Sequence, residues 1–159
     1  MKRGRTIIRR DTDHALRMLV HIASQNGQTA TVPAMARALT VPASFAHKIL
    51  RRLSKAGILR SRAGNQGGFR LAVSPRQVSL YDVVVAVQPL PLLNLCTGGA
   101  DGCVRRPSCR ISTRLRVLQD RLNTFLRDTR LSDVLDDTVD RASPAAARSQ
   151  GPSSRCQKG

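Results

Sequence analysis

Two short helices joined by a tight turn and followed at once by a glycine-rich hairpin constrain this chain more than any other feature. The run is TVPAMARALTVPASFAHKILRRLSKAGILRSRAGNQGGFRLAV, residues 31–73. Thr31 is placed to cap the first helix, with Pro33 in its opening turn. Val32, Met35, Ala36 and Leu39 form its inward stripe. Thr40-Val41-Pro42 makes the turn. The second helix is predicted over Ser44–Ala56, with Phe45, Ile49, Leu50 and Leu53 as its apolar face and Gly57 in the usual C′ place. Ile58–Ser61 reads as a strand, 63–68 as a hairpin tip and Phe69–Val73 as the returning strand. Two helices in this order, the second rich in basic residues, follow the helix-turn-helix pattern, and the hairpin after them is a wing.

Charge points the same way. The 159 residues carry 27 Lys+Arg against 10 acidic residues, a formal net charge of +17. All the acids are Asp, and most of the cations are Arg, which favours bidentate phosphate contacts. The excess is concentrated in residues 1–80, so the front half is the expected polyanion-binding half. On the second helix Ala43, Ser44 and His47 are placed to read base edges, while Lys48, Arg51 and Arg52 suit phosphate. Arg62 and Arg70 flank the hairpin tip, within reach of phosphate or the minor groove. No Walker or Rossmann glycine fingerprint is present, and the Asp residues are too scattered for a carboxylate-pair hydrolase, so an enzyme is not expected. No apolar run is long enough to cross a bilayer, and Asp11, Asp13 and His14 interrupt the basic N-terminus before a signal region can form. A cytoplasmic protein is the expectation.

Around this core the chain divides readily. Residues 1–10 are a basic arm. A helix is predicted over Asp13–Ser24, with Ala15, Leu16, Leu19, Val20, Ile22 and Ala23 as its stripe and Asp11, Thr12 or Asp13 as its cap. Ser79 is placed to cap a short helix, Leu80–Ala86, which closes a DNA-binding unit over 11–88. Residues 89–110 form a loop rich in Cys, Gly and Pro. A long helix is predicted from Ser108 to about Asp128. Ile111, Leu115, Leu118, Leu122 and Phe125 repeat along it at heptad spacing and call for a partner helix, so a homodimer is expected. Leu131, Val134 and Leu135 suggest one more short helix, giving a unit over 108–140. Residues 141–159 have little to bury and are expected to be disordered. The fold class is therefore mainly α with a small β wing: a winged helix-turn-helix, then a cysteine loop, then a dimerisation helix.

Cys96, Cys103 and Cys109 stand in a C-x6-C-x5-C pattern. In an intracellular chain such a group reads as metal ligands or redox thiols. The gaps are wider than the pairs of structural zinc sites and suit a larger object such as an iron–sulfur cluster. A zinc site and a metal-free Cys96–Cys103 redox pair are the alternatives. Three thiolates leave one ligand to be found, with Asp11, Asp13, His14 and His21 on the first helix as candidates. Cys156 lies in the tail.

The segments TDHALRMLVHIA and VPASFAHKILRRLSKAGILRSRAGNQGGFRLA, with the three-cysteine loop, resemble the Rrf2 family of winged helix-turn-helix regulators across about residues 7–140. The resemblance implies a homodimer on a palindromic duplex operator and, in many members, an iron–sulfur cluster between the wing domain and the dimerisation helix. Asp13-His14-Ala15-Leu16-Arg17, Asn94-Leu95-Cys96 and the run from Cys103 to Arg110 are most similar to the nitric-oxide-sensing repressor branch. That likeness implies a [4Fe-4S] cluster on Cys96, Cys103, Cys109 and Asp13 from the opposite subunit. The first cysteine gap is one residue longer than is usual in the family, and His14 stands beside Asp13 as a competing ligand. The histidine that the family's cluster-assembly regulator carries after the third cysteine is replaced here by Arg110-Ile111-Ser112.

Overall fold

A computed structural model describes residues 6–25, 27–64, 67–98 and 109–135. In chain order the elements are α1 (Arg10–Ala23), α2 (Val32–Ala38), α3 (Ala43–Lys55), β1 (Leu59–Arg62), β2 (Gly68–Leu71), α4 (Leu80–Val87), α5 (Arg110–Asp128) and α6 (Leu131–Leu135). Short 3₁₀ turns lie at Pro75–Gln77 and Leu95–Thr97. The expected architecture, mainly helical with a two-stranded antiparallel wing and a long C-terminal helix, is the one observed. The tail beyond residue 135 and the loop centred on Cys103 lie outside the described residues.

The core forms where α1 crosses α3 and α4. Ala15, Met18, Leu19 and Ile22 present one buried face of α1 to Ala46, Ile49, Leu50 and Leu53 of α3 and to Val83 and Val87 of α4. The spacing of these positions is the 3–4 periodicity that buries one side of a helix. Phe45, expected on the apolar face of α3, is only partly buried, and Ala46 takes the interior place.

Most boundaries fall within a residue or two of expectation, and one cap differs. The predicted cap of α1 at Asp11, Thr12 or Asp13 is not observed. The helix starts at Arg10 behind Arg9, whose side chain makes no cap. Instead the Arg9 carbonyl accepts from the Thr12 and Asp13 amides, each at 3.0 Å. The Thr12 hydroxyl is drawn away to Gln88 Oε1 at 2.7 Å, and Asp11 and Asp13 occupy the first turn, where the helix dipole favours negative charge. The other caps are as read: Thr31 Oγ1 accepts from the Ala34 amide, and Ser79 and Asp82 close a reciprocal capping box on α4. Gly57 has φ +76° and turns the chain from α3 into β1. Thr40 enters the left-handed region at φ 51° in the turn between α2 and α3. There the Val41 amide bonds the Ala36 carbonyl and the Thr40 amide bonds the Arg37 carbonyl, the pairing of a Schellman stop.

The C-terminal end of the described chain returns to this core. The Leu131 amide donates to the Val78 carbonyl at 2.8 Å, and the Leu80 amide donates to the Thr129 carbonyl at 3.0 Å. Leu131 is fully buried among the residues of the DNA-binding unit. Leu126 of α5 is buried as well, and the Arg127 guanidinium lies over the Tyr81 ring at 4.3 Å. Truncating Leu131 to Ala leaves a hole in a packed interior and is expected to lower stability by about 2–5 kcal/mol, as read by urea unfolding.

Candidate nucleic-acid interface and cysteine loop

The exposed face of α3 carries Ala43, Ser44, His47, Lys48 and Arg51. Its opposite face holds Ile49, Leu50 and Leu53 in the core, so packing fixes which way these polar side chains point. A cleft of about 660 Å³ separates α3 from the wing, lined by His47, Arg51, Arg62, the glycines of the tip and Thr31 at the start of α2. His47 and Arg51 of α3 and Arg62 of the wing therefore share one concave surface.

The wing register completes that surface. Leu59 pairs with Leu71, Arg60 with Arg70, Ser61 with Phe69 and Arg62 with Gly68. Strand alternation turns Leu59 and Phe69 to the core and puts Arg60, Arg62 and Arg70 together on the other face, all exposed. Like charges directly opposite across a ladder repel. Among the described residues the ion pairs are Arg17–Asp13 and Arg52–Asp11, and neither relieves these three arginines. Arg60 was absent from the sequence-derived site, although its two-residue step to Arg62 would have found it. The wing is fastened to the chain before α2 by a pair of bonds between Ala30 and Phe69, each at 2.9 Å. That approach requires Gly68, because a Cβ there would lie 2.5 Å from the Ala30 carbonyl oxygen.

Arg52 differs from its neighbours on α3. Its Nη1 donates to the Val87 carbonyl at 2.8 Å and lies 3.7 Å from Asp11 Oδ2. The guanidinium is held against the end of α4, while the side chain, 39% exposed, still borders the surface hollow lined by Ser44, His47, Lys48 and Arg51.

Of the three loop cysteines, Cys96 and Cys109 fall within the described residues, and Cys103 lies outside them. Cys96 sits half-buried on the 3₁₀ turn Leu95–Thr97. Cys109 is a free thiol at the N-cap of α5. The backbone amide of Ser112, then that of Ile111, pull its pKa below the ordinary thiol value. Two amides at a helix N-terminus stabilise a thiolate, the form that binds soft metals. Cys109 is thereby suited to serve as one thiolate ligand of a metal centre.

Gln119 holds the loop in place. Buried on α5, it accepts from the Leu93 amide at 2.9 Å and the Thr97 hydroxyl at 3.2 Å, and it donates to the Pro91 carbonyl at 3.0 Å. Nothing in the hydropathy pattern singled it out.

The candidate fourth ligands lie on α1. Asp13 is half-exposed and accepts from Arg17 Nε at 3.0 Å. His14 packs edge-on to Phe45 with ring centroids 5.7 Å apart, and its buried Nδ1 has no hydrogen-bond partner among the described residues. Among those residues no three His, Cys, Asp or Glu side chains come together as a metal site, so Asp13, Cys96 and Cys109 are not gathered into one within the described chain. No described helix is long and apolar enough to cross a membrane.

A basic helix-turn-helix with an arginine-faced wing defines a DNA-binding protein of the winged class. A family model described as Rrf2, iron-dependent transcriptional regulator, matches residues 8–137. The chain belongs to the Rrf2 family of transcriptional regulators, which are not enzymes. Protein aau3 of Rhizobium meliloti (strain 1021) is 32% identical over 108 residues, covering 67% of this chain and 70% of that protein. The fold is similar to that of CymR, the global cysteine regulator of B. subtilis, with TM-score 0.67 and 17% identity over 82% of this chain and 97% of that one. It is also similar to T. potens IscR, with TM-score 0.60 and 18% identity over 94% and 93% of the two chains.

The lowered pKa of Cys109 gives a direct test. In metal-free protein its alkylation by iodoacetamide, followed by peptide mass mapping, is expected to reach half-maximal rate below the pH of about 8.5 at which an unperturbed thiol does so. A midpoint at or above that value would remove the helix-terminus thiolate.

Proposed function

We propose that this chain is a homodimeric repressor whose operator affinity is set by a [4Fe-4S] cluster responsive to nitric oxide. The observation that carries the DNA half is the cationic surface of α3 and the wing, where Arg60, Arg62 and Arg70 stand together with no acidic partner among the described residues. Ala43, Ser44 and His47 read base edges in the major groove. Lys48 and Arg51 hold phosphate, and the wing arginines reach the backbone or the minor groove beside it.

Dimerisation rests on α5. Ile111, Leu118 and Phe125 are 70%, 52% and 63% exposed, an apolar line too large for a solvated helix face. Two such faces packed together place two α3 helices on one duplex. The family's palindromic operators suit that symmetry.

Cys96, Cys103 and Cys109 would hold the cluster, with Asp13 of the partner subunit as the fourth ligand. Bound there, it would supply iron able to react with nitric oxide. Asp13 lies in the first turn of α1, and α1 shares its buried face with α3. Whatever holds or releases Asp13 therefore acts on a helix packed directly against the reading helix. Arg17 pairs with the Asp13 carboxylate at 3.0 Å, a contact that metal ligation by Asp13 would have to replace.

For the DNA half, binding to a mixed-sequence duplex is measured against salt. Arg51→Ala is expected to flatten the slope of log affinity against log salt by about 0.9, the share of one phosphate contact. An unchanged slope would remove Arg51 from the backbone contacts. For the cysteine half, the anaerobic visible spectrum is followed through a nitric oxide titration in wild type and Asp13→Ala. A broad band that responds to nitric oxide at a fixed ratio, and whose stability and response change in the variant, supports the assignment. A colourless protein that takes up no iron and sulfide turns the cysteines into a zinc site or a thiol switch. An unaltered response in Asp13→Ala refutes the fourth ligand.

A further inference from the structure

A buried carboxamide lies where three parts of the chain meet, and base reading gives it no task. Gln88, 5% exposed, ends α4. Its Oε1 accepts from the Arg9 amide at 2.9 Å and from the Thr12 hydroxyl at 2.7 Å. Its Nε2 donates to the Ile7 carbonyl at 3.1 Å and, at a long 3.5 Å, to the Pro89 carbonyl. One side chain thus fastens the N-terminal arm and the first turn of α1 to the start of the linker that leads to the cysteines.

The residue before it meets the recognition helix. The Val87 carbonyl belongs to the last turn of α4, where carbonyls lack helical partners. Arg52 of α3 supplies one at 2.8 Å, and Asp11 of α1 lies 3.7 Å from the same guanidinium nitrogen. The far end of the linker is gripped by Gln119 through Pro91 and Leu93. Residues 87–93 are therefore held at both ends, by buried Gln119 at the cysteine loop and by the partly exposed Arg52 at α3. A buried amide that satisfies several backbone groups holds geometry firmly, because breaking it strands those groups away from water.

We propose that Arg52 and Gln88 are positioning residues of one relay: they fix α3 against the first turn of α1 and the linker, and Arg52 makes no phosphate contact. The relay rests on the DNA-binding reading above. It supplies the physical connection between that surface and the cysteine loop, a chain of named hydrogen bonds whose ends lie on the two elements to be coupled. A phosphate contact needs a guanidinium free to meet the duplex, whereas this one has its Nη1 engaged by the Val87 carbonyl and the Asp11 carboxylate, although the side chain stays 39% exposed beside Lys48 and Arg51.

The test uses full-length protein and two probes, a mixed-sequence duplex and the duplex that wild type selects from a random library. Affinity is measured against salt for Arg51→Ala, Arg52→Met, Gln88→Leu and the Arg52→Met/Gln88→Leu double variant, with thermal unfolding to establish that each is folded. For Arg52→Met and Gln88→Leu the salt slope on mixed sequence stays at the wild-type value. Affinity for the selected duplex falls about tenfold while mixed-sequence affinity changes less than about twofold, since a mis-set helix loses base contacts before phosphate contacts. A merely destabilised protein would lose both affinities in proportion. The double variant is expected to lose no more than the worse single one, because both cut the same connection. Where Gln88→Leu fails to fold, Gln88→Glu keeps the accepting oxygens, loses the donated bonds, and shows the same split in smaller measure. A slope flattened by about 0.9 in Arg52→Met, as in Arg51→Ala, overturns the proposal, because Arg52 then holds phosphate. Additive losses, or a Gln88 variant that leaves the selected duplex at wild-type affinity, overturn it too. Each of these outcomes leaves the DNA-binding reading standing. A wild type that binds neither duplex removes that reading, and the relay with it.

Discussion

Burial of one face of α1 against α3 and α4 is the constraint on which the rest of the molecule depends. Ala15, Met18 and Leu19 have no exposed surface, and neither do Leu50 and Leu53 across the seam. Fully burying a side chain of Leu or Met size contributes about 1.5–3 kcal/mol. That seam gives α3 a single rotational setting, and the setting decides that His47, Lys48 and Arg51 face outward as a group. It also makes α1 the natural carrier of any signal. The helix that bears Asp13 cannot move without disturbing the helix proposed to read DNA.

The cationic surface is tolerable only because the core lies beneath it. Arg60 and Arg70 face each other across the wing, an arrangement that opposes folding. The wing is held regardless, by Phe69 in the core and by the paired bonds between Ala30 and Phe69. Repulsion of this kind at a surface proposed to receive phosphate would be relieved by that phosphate, trading stability for affinity. Arg52 shows the reverse case. Its Nη1 meets a helix-end carbonyl, so the same residue type on the same helix has a different setting from Arg51.

The long helix shows most clearly where hydropathy patterning reaches its limit. The heptad of Ile111, Leu115, Leu118, Leu122 and Phe125 was legible, and its apolar line is largely turned to solvent, as expected of a face that awaits a second copy. The line that α5 turns to its own chain is Ser112, Gln119 and Leu126. Two of these three are polar, so hydrophobic periodicity could not mark them. Gln119 is buried because the Pro91–Leu93 backbone has groups that must be satisfied, and that demand appears only once the loop is folded. Gln88 escaped notice for the same reason. The cap of α1 was misplaced because Thr12, a good local cap, has a better long-range partner in that glutamine. Leu131 gave only a weak local signal, yet it closes the core from beyond the long helix.

By itself the sequence determined the order and type of the elements, the helix-turn-helix with its wing, the basic balance, the heptad and the cysteine spacing. These are set by local periodicity, caps, glycines and charge, all of which act within a few residues along the chain. Tertiary structure alone decided that Arg52 meets the end of α4 and that two buried glutamines grip the linker. Those facts depend on pairings between residues tens of positions apart, such as Gln88 with Arg9 and Arg52 with Val87. Hydrogen-bond demand in a folded interior is a property of the packed chain, and no local pattern of residues encodes it.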